Sequence, residues 1–231
     1  MTDLEIQLWT SELQAISNAR TGLNRSPKLP PSLNGKTEED LAERLTAAYR
    51  IVVEERGMEY KDIPDAQITR TIKEVISWLM APRYRSTLFL QGLPGSGKTS
   101  IMNAIGLVYT KENKTYSTCT AKGIYDHYDL FLKGENNLYA YYKERETLLV
   151  DDLGVEPMEF KNFGTTFYPI QEVIEFRYKY QLTTIITTNL NDRQIYSRYG
   201  GRCDDRFDEM CSFIMVPGPS FRKLLSALNK T

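Results

Sequence analysis

Cysteine and histidine are scarce in this sequence. Its 231 residues hold three cysteines, Cys119, Cys203 and Cys211, and a single histidine, His127. An odd, scattered set of cysteines excludes a disulfide framework, and with one histidine no zinc site of the usual Cys/His spacing can be assembled. An excess of one charge is also missing: 29 basic against 30 acidic residues leave a net charge of −1. No global positive field draws such a chain onto nucleic acid, so any contact of that kind must come from a local patch. Long apolar runs are absent too. No uninterrupted stretch approaches the roughly 18 residues of a membrane span, and the start, Met1-Thr2-Asp3-Leu4-Glu5, lacks the basic and apolar regions of a signal peptide. A reducing, cytoplasmic compartment and no membrane partner are expected. What is present is ordinary for a globular protein: 41% hydrophobic and 26% charged residues, enough for a self-sufficient core.

The apolar pattern divides the chain. Ile6, Trp9, Leu13 and Ile16 form one helical stripe, and the proline-bearing stretch 25–35 reads as a linker. Thr37 with Asp40 makes a capping-box start; Leu41, Leu45, Ala48, Tyr49 and Val52 follow on one face, and Gly57 marks the stop. A second helix runs from Asp65 through Ile68, Ile72, Val75, Ile76 and Leu79 to Pro82. From Ser86 the pattern changes. Short apolar or β-branched runs at 87–90, 115–120, 147–151, 183–188 and 213–216 predict strands, with helical stretches between them, the clearest holding Ile170, Val173, Ile174, Arg177 and Tyr178. Strands alternating with helices predict an α/β fold whose mostly parallel sheet is covered on both faces.

Between the first strand and the following helix stands Gly92-Leu93-Pro94-Gly95-Ser96-Gly97-Lys98-Thr99, a full G-x-x-x-x-G-K-[ST]. Each residue type has a physical reason. Glycines let backbone N–H groups converge on phosphate oxygens, and the helix behind aims its positive dipole end at the same anion. Gly92, Pro94, Gly95, Ser96, Gly97, Lys98, Thr99 and Ser100 are the candidate residues for binding a nucleotide's phosphates. Lys98 is placed to bridge the β- and γ-phosphates and Thr99 to hold Mg²⁺. A second motif, Leu148-Leu149-Val150-Asp151-Asp152, delivers acids to the end of an apolar strand. Asp151 is the candidate metal residue beside Thr99, and Asp152 the candidate that polarises an attacking water. The β-branched strand at 183–188 ends in Asn189, whose amide can hydrogen-bond a γ-phosphate or a water.

These residues resemble the AAA+ ATPases of the bacterial helicase-loader and transposition-helper type, the DnaC/IstB-like family. The resemblance spans residues 88–222. It rests on Leu-Leu-Val-Asp-Asp-Leu-Gly at 148–154, Thr-Thr-Asn-Leu at 187–190, Tyr-Gly-Gly-Arg-Cys-Asp-Asp-Arg-Phe at 199–207 and Gly-Pro-Ser-Phe-Arg at 218–222. It implies a P-loop NTPase of AAA+ type: a three-layer sandwich with a helical N-terminal extension and no separate lid domain, since only 42 residues (231 − 189) follow Asn189. It makes Lys98 and Thr99 Walker A, Asp151 and Asp152 Walker B and Asn189 sensor 1, and it places an arginine finger at Arg206 with Arg202 as its helper. Many AAA+ proteins carry Glu where this chain has Asp152, a side chain one methylene shorter. The domains expected are a helical N-terminal region with linker over 1–64, assigned to partner binding, and an AAA+ core over 65–231.

The implied activity is ATP hydrolysis in DNA replication or transposition, with ATP and Mg²⁺ as cofactors. The partners implied are single-stranded DNA, further copies of the chain on ATP binding, and a replicative helicase or transposase engaged through the N-terminal region. Basic and aromatic residues interleave at Phe176-Arg177-Tyr178-Lys179-Tyr180 and Tyr196-Ser197-Arg198-Tyr199, a mixture suited to base stacking. Lys122 and Lys133 are further nucleic-acid candidates, and Arg222 a candidate for the phosphates or the nucleic acid. Two other readings stand beside this one: a nucleotide-gated adaptor with little turnover, and a P-loop small-molecule kinase.

Overall fold

The computed structural model describes residues 36–59, 65–81, 85–199, 207 and 209–218, with only the backbone for 65–67. The stripe at 6–16, the linker at 25–35, and Cys203, Arg202, Arg206 and Arg222 lie outside the described residues. Helix α1 (Glu38–Glu54) begins at the expected capping box: Thr37 Oγ1 accepts from the Asp40 N–H at 3.1 Å and Asp40 Oδ2 from the Thr37 N–H at 3.3 Å. It closes at Gly57, whose φ of 77° suits glycine. The Met58 N–H reaches back to the Val53 carbonyl there, and the Gly57 N–H to that of Glu54. Helix α2 (Asp65–Met80) follows.

The remaining elements are β1 (Thr87–Gln91), α3 (Lys98–Lys111), β2 (Ser117–Thr120), α4 (Ala121–Leu132), α5 (Leu138–Glu144), β3 (Thr147–Leu153), β4 (Phe160–Asn162), β5 (Thr165–Phe167), α6 (Pro169–Lys179), β6 (Thr183–Thr188), α7 (Asp192–Tyr199) and β7 (Cys211–Met215). Five strands form one parallel sheet in the order β2-β3-β6-β1-β7. Every residue of β1 and β6 is buried, as their unbroken apolar or β-branched runs require.

Successive residues of the central strands face opposite layers. Leu88, Leu90, Leu149 and Ile185 pack with α1, α2 and α3 on one side, while Phe89, Leu148, Val150 and Ile186 pack with α4, α6 and α7 on the other. The result is a three-layer sandwich. Helix α1 is part of it: Leu41, Leu45, Tyr49, Val52 and Val53 share one buried cluster with Ile101, Met102, Ile105 and Tyr109 of α3.

The small antiparallel hairpin β4–β5 has no counterpart among the sequence expectations. Its strands are held by aromatic contacts to α4: Phe160 packs on Tyr125 (5.6 Å between centroids) and Tyr128 (5.4 Å), and Phe167 on Tyr128 (5.8 Å). Its turn puts Phe163 at φ 45° and Gly164 at φ 81°, two successive left-handed residues as a type I′ turn needs.

Arg177 is buried in the lower core. Its guanidinium donates to Thr184 Oγ1 (2.8 Å), the Thr183 carbonyl (2.5 Å) and the carbonyls of Tyr142 (3.1 Å), Lys143 (3.3 Å) and Arg145 (2.7 Å) at the end of α5. Those last carbonyls carry the negative end of the α5 dipole. Burial nonetheless pulls the guanidinium pKa down to about 9, with the Cys119 thiol opposing the shift. This buried arginine is not free to contact nucleic acid from the 176–180 stretch.

Candidate nucleotide-binding site

The sheet order sets β6 between β1 and β3, so the loop after β1, the acids ending β3 and the amide after β6 meet at one edge. The loop is a cradle that side chains would fill. A Cβ on Gly92 would stand 2.5 Å from the Val216 carbonyl and 2.8 Å from Ser96 Oγ, while Gly95 and Gly97 hold φ of 85° and 98°. Helix α3 starts from Gly97 without a side-chain cap and without an acid in its first turn. Its first N–H groups are therefore left for an anion. Ser96 is fully buried, and its hydroxyl has no partner among the described residues.

Lys98 is buried, and its ammonium lies over the loop, donating to the carbonyls of Gly92 and Leu93 at 2.9 Å each and to Asn189 Oδ1 at 2.8 Å. One residue on, the Thr99 hydroxyl donates to Asp151 Oδ1 at 2.9 Å. A hydroxyl and a carboxylate in contact are hard oxygen donors. They fit Mg²⁺, which takes few protein ligands and completes its shell with phosphate and water.

Asp151 is oriented by a residue that the sequence reading did not single out. Thr187 Oγ1 donates to Asp151 Oδ1 at 2.5 Å and accepts the Asp152 N–H at 2.9 Å. The pairing of β3 with β6 slips here: Val150 faces Ile186 and Leu153 faces Thr188, which leaves one extra residue on β3. Asp152 takes the left-handed φ of 55° at this bulge. The bulge turns Asp152 off the strand's alternation while Thr187 satisfies its N–H.

Past the acids, the buried carboxylate of Glu156 accepts from the Gly154 N–H (2.9 Å) and the Tyr199 hydroxyl (2.5 Å) and lies 3.6 Å from Arg198 Nε. The Arg198 guanidinium also donates to the Glu156 carbonyl. Arg198 and Tyr199 of the 196–199 stretch are thus engaged with the segment that follows β3. Burial, then Glu156, push the Tyr199 hydroxyl well above its ordinary pKa. Gln91, ending β1, donates to Asp192 Oδ1 at 2.8 Å and anchors the start of α7. The sequence candidates Lys122 and Lys133 stand on α4 and just after it, paired with Asp126 (2.7 Å) and Asp129 (2.6 Å). His127 is a half-buried helix residue whose ring lies 5.8 Å from that of Tyr142.

A glycine cradle at a helix start, whose first-turn lysine and threonine meet an asparagine after β6 and an aspartate on β3, defines a P-loop NTPase fold. The sequence matches no protein-family model and no curated protein. Solved structures do match. The crystal structure of the DnaC helicase loader aligns over 67% of this chain and 92% of its own, at 21% identity and a TM-score of 0.53. Domain III of the Thermotoga maritima replication initiation protein DnaA aligns over 73% of this chain and 69% of its own, at 19% identity and a TM-score of 0.50. The chain shares the α/β P-loop fold of the DnaC helicase loader, the fold that the sequence motifs implied. Among the described residues, no helix is long and apolar enough to cross a membrane.

Proposed function

We propose that the chain binds ATP with Mg²⁺ in the 92–100 cradle, hydrolyses it, and acts in DNA replication or transposition as a loader-like factor on single-stranded DNA. The observation that carries the reading is the convergence at one sheet edge of Lys98 with Asn189 and of Thr99 with Asp151. In this reading Lys98 and the first N–H groups of α3 hold the β- and γ-phosphates. Thr99 and Asp151 hold the metal, which supplies charge neutralisation at the phosphate oxygens. Thr187 fixes the Asp151 carboxylate. Asp152, turned out by its bulge, orients the attacking water, and Asn189 donates to the terminal phosphate. Arg206, aided by Arg202, completes the site of a neighbouring copy, which makes assembly a condition of turnover.

Phe163 supports the single-stranded DNA part of the proposal. It is fully exposed at the tip of a hairpin anchored by Phe160 and Phe167. A bulky side chain with left-handed φ, displayed wholly to solvent, is an expensive arrangement unless something covers it. Its neighbours Asn162, Thr165 and Thr166 supply hydrogen-bond donors, and Lys161, paired with Glu159 at 2.8 Å, brings an ammonium beside the tip. That mixture suits a base stacked on the ring with phosphate nearby. The region upstream of residue 65 is the part we assign to a helicase or transposase partner.

The test is the ATPase rate with and without single-stranded DNA, with oligomeric state followed in parallel. Stimulation by DNA together with ATP-dependent assembly is expected. ATP binding and assembly with no turnover would instead select the nucleotide-gated adaptor, a reading favoured by the short Asp152 side chain. Phe163→Ala should weaken single-stranded DNA by about 5- to 100-fold, the range of one lost base stack.

A further inference from the structure

We propose that Arg56 is a nucleotide-binding residue, contributed by the end of α1 to the α-phosphate end of the cradle. The inference rests on the reading of residues 92–100 as a nucleotide site and adds to it a cation from outside the loop and its helix.

Consecutive helical residues are about 100° apart around the axis. Lys98, Thr99 and Ser100 therefore leave the first turn of α3 in three directions, and each meets a different element. Lys98 meets Asn189 after β6, Thr99 meets Asp151 on β3, and the buried Ser100 hydroxyl accepts from the Arg56 guanidinium at 3.1 Å. The first two directions mark the γ-phosphate and metal end of a phosphate chain laid along the loop. The third leads away from it, to the side where α1 ends, and so marks the nucleoside end.

The arginine is held there by its backbone. Gly57, left-handed at φ 77°, closes α1, and the Arg56 N–H still bonds the Val53 carbonyl at 3.1 Å. Helix α1 is fixed in turn by the cluster it shares with α3. Ser100 takes one donor of the guanidinium, a group whose five donors form a fork suited to phosphate oxygens. The cradle at the start of the helix that carries Ser100 has uncapped N–H groups and a buried Ser96 hydroxyl with no partner among the described residues. Arg56 can hold Ser100 and an α-phosphate oxygen at once.

The experiment is titration of the full chain with ADP and with ATP plus Mg²⁺ by calorimetry, for wild type, Arg56→Ala, Arg56→Lys and Lys98→Ala. Because Arg56 faces the end common to both nucleotides, Arg56→Ala should weaken ADP and ATP by the same factor, about tenfold, as for one charge-assisted hydrogen bond. Arg56→Lys should recover part of it. The melting temperature without nucleotide should be unchanged, while the nucleotide-induced rise in melting temperature shrinks. Unaltered affinities in Arg56→Ala overturn the proposal, as does a loss confined to ATP, which would put the guanidinium at the γ end. A lowered melting temperature without nucleotide, with affinities intact, also overturns it in favour of a structural role. If wild type binds neither nucleotide, or Lys98→Ala binds as wild type does, the underlying site reading fails instead. Should Arg56→Ala not fold, Arg56→Gln carries the same comparison.

Discussion

The Lys98 ammonium donates a 2.8 Å hydrogen bond to Oδ1 of Asn189, joining the first residue of α3 to the residue that follows β6. The cation assigned to the terminal phosphates and the amide assigned to sense them already occupy one place. The link is possible only because β6 lies next to β1 in the sheet. Asn189→Ala should therefore slow ATP turnover by about 100- to 1,000-fold, the loss typical of one donor aimed at developing charge. ADP affinity should stay within about twofold of wild type, since the role proposed for Asn189 is at the γ-phosphate alone. Steady-state kinetics beside ADP titration check both halves.

Thr187 offers a sharper test of the metal site, because it touches Asp151 and Asp152 without being assigned to substrate. Thr187→Val keeps shape and volume but removes both hydrogen bonds. Mg²⁺ should bind about 10- to 100-fold more weakly in the presence of ATP, the usual loss when a ligand's supporting partner is removed. Thr187→Ser should restore most of it. An unchanged Mg²⁺ dependence in the valine variant would remove Thr187 from the site.

Arg177 should matter for stability and little for nucleotide. Replacing it with Leu takes the guanidinium donors from the carbonyls of Tyr142, Lys143 and Arg145 at the end of α5 and from that of Thr183. At about 1–3 kcal/mol for each unsatisfied buried group, a total loss of about 3 kcal/mol or more is expected in denaturant melts. Arg177→Lys should rescue poorly, because an ammonium cannot span the fork of acceptors.

Much of this was legible in the sequence, for reasons that differ by element. The glycine loop, the buried runs of β1, β3 and β6 and the capping box at Thr37 are local patterns, and the strand at 183–188 ends where the run of threonines and isoleucines predicts. The edge strands shifted: a strand expected at 115–120 occupies 117–120, and one expected at 213–216 occupies 211–215. Edge pairing depends on the neighbouring strand, as where Cys211 aligns with Thr87. The hairpin was missed because three-residue strands are too short to show a period. Its cue was the spacing of Phe160 and Phe167 about Asn162 and Gly164. Thr187 was hidden because a threonine in a β-branched run reads as strand propensity. Arg177 was placed on a helix face, but nothing local announces that the end of α5 will supply its acceptors. Arg56 was hidden likewise, since its partner Ser100 lies 44 residues away.

Alkaline pH should unfold the chain through its buried tyrosines. Burial, then the Glu172 carboxylate, push Tyr128 up to about 12 and Tyr139 higher still; burial and Glu156 do the same to Tyr199. In the folded state these hydroxyls keep their protons at pH values where unfolded tyrosine, near 10, has lost them. The folded state then binds more protons, so their contribution is fully present below about pH 10 and is lost as pH rises through the folded values. Denaturant melts across this range should show falling stability, with tyrosinate absorbance lagging until the chain unfolds. Stability that stays level above about pH 10 would contradict the assignment.

The central claim is that residues 92–100 hold the triphosphate of a magnesium nucleotide with Asp151 opposite. Calorimetric titration of ATP with Mg²⁺ into the intact protein tests it most directly, with Lys98→Ala and Asp151→Asn alongside. Saturable binding of one nucleotide per chain is predicted, weakened about 100-fold or more without the Lys98 charge and made insensitive to Mg²⁺ without the Asp151 carboxylate. Absence of heat with the wild type, or equal affinity in all three proteins, would contradict it.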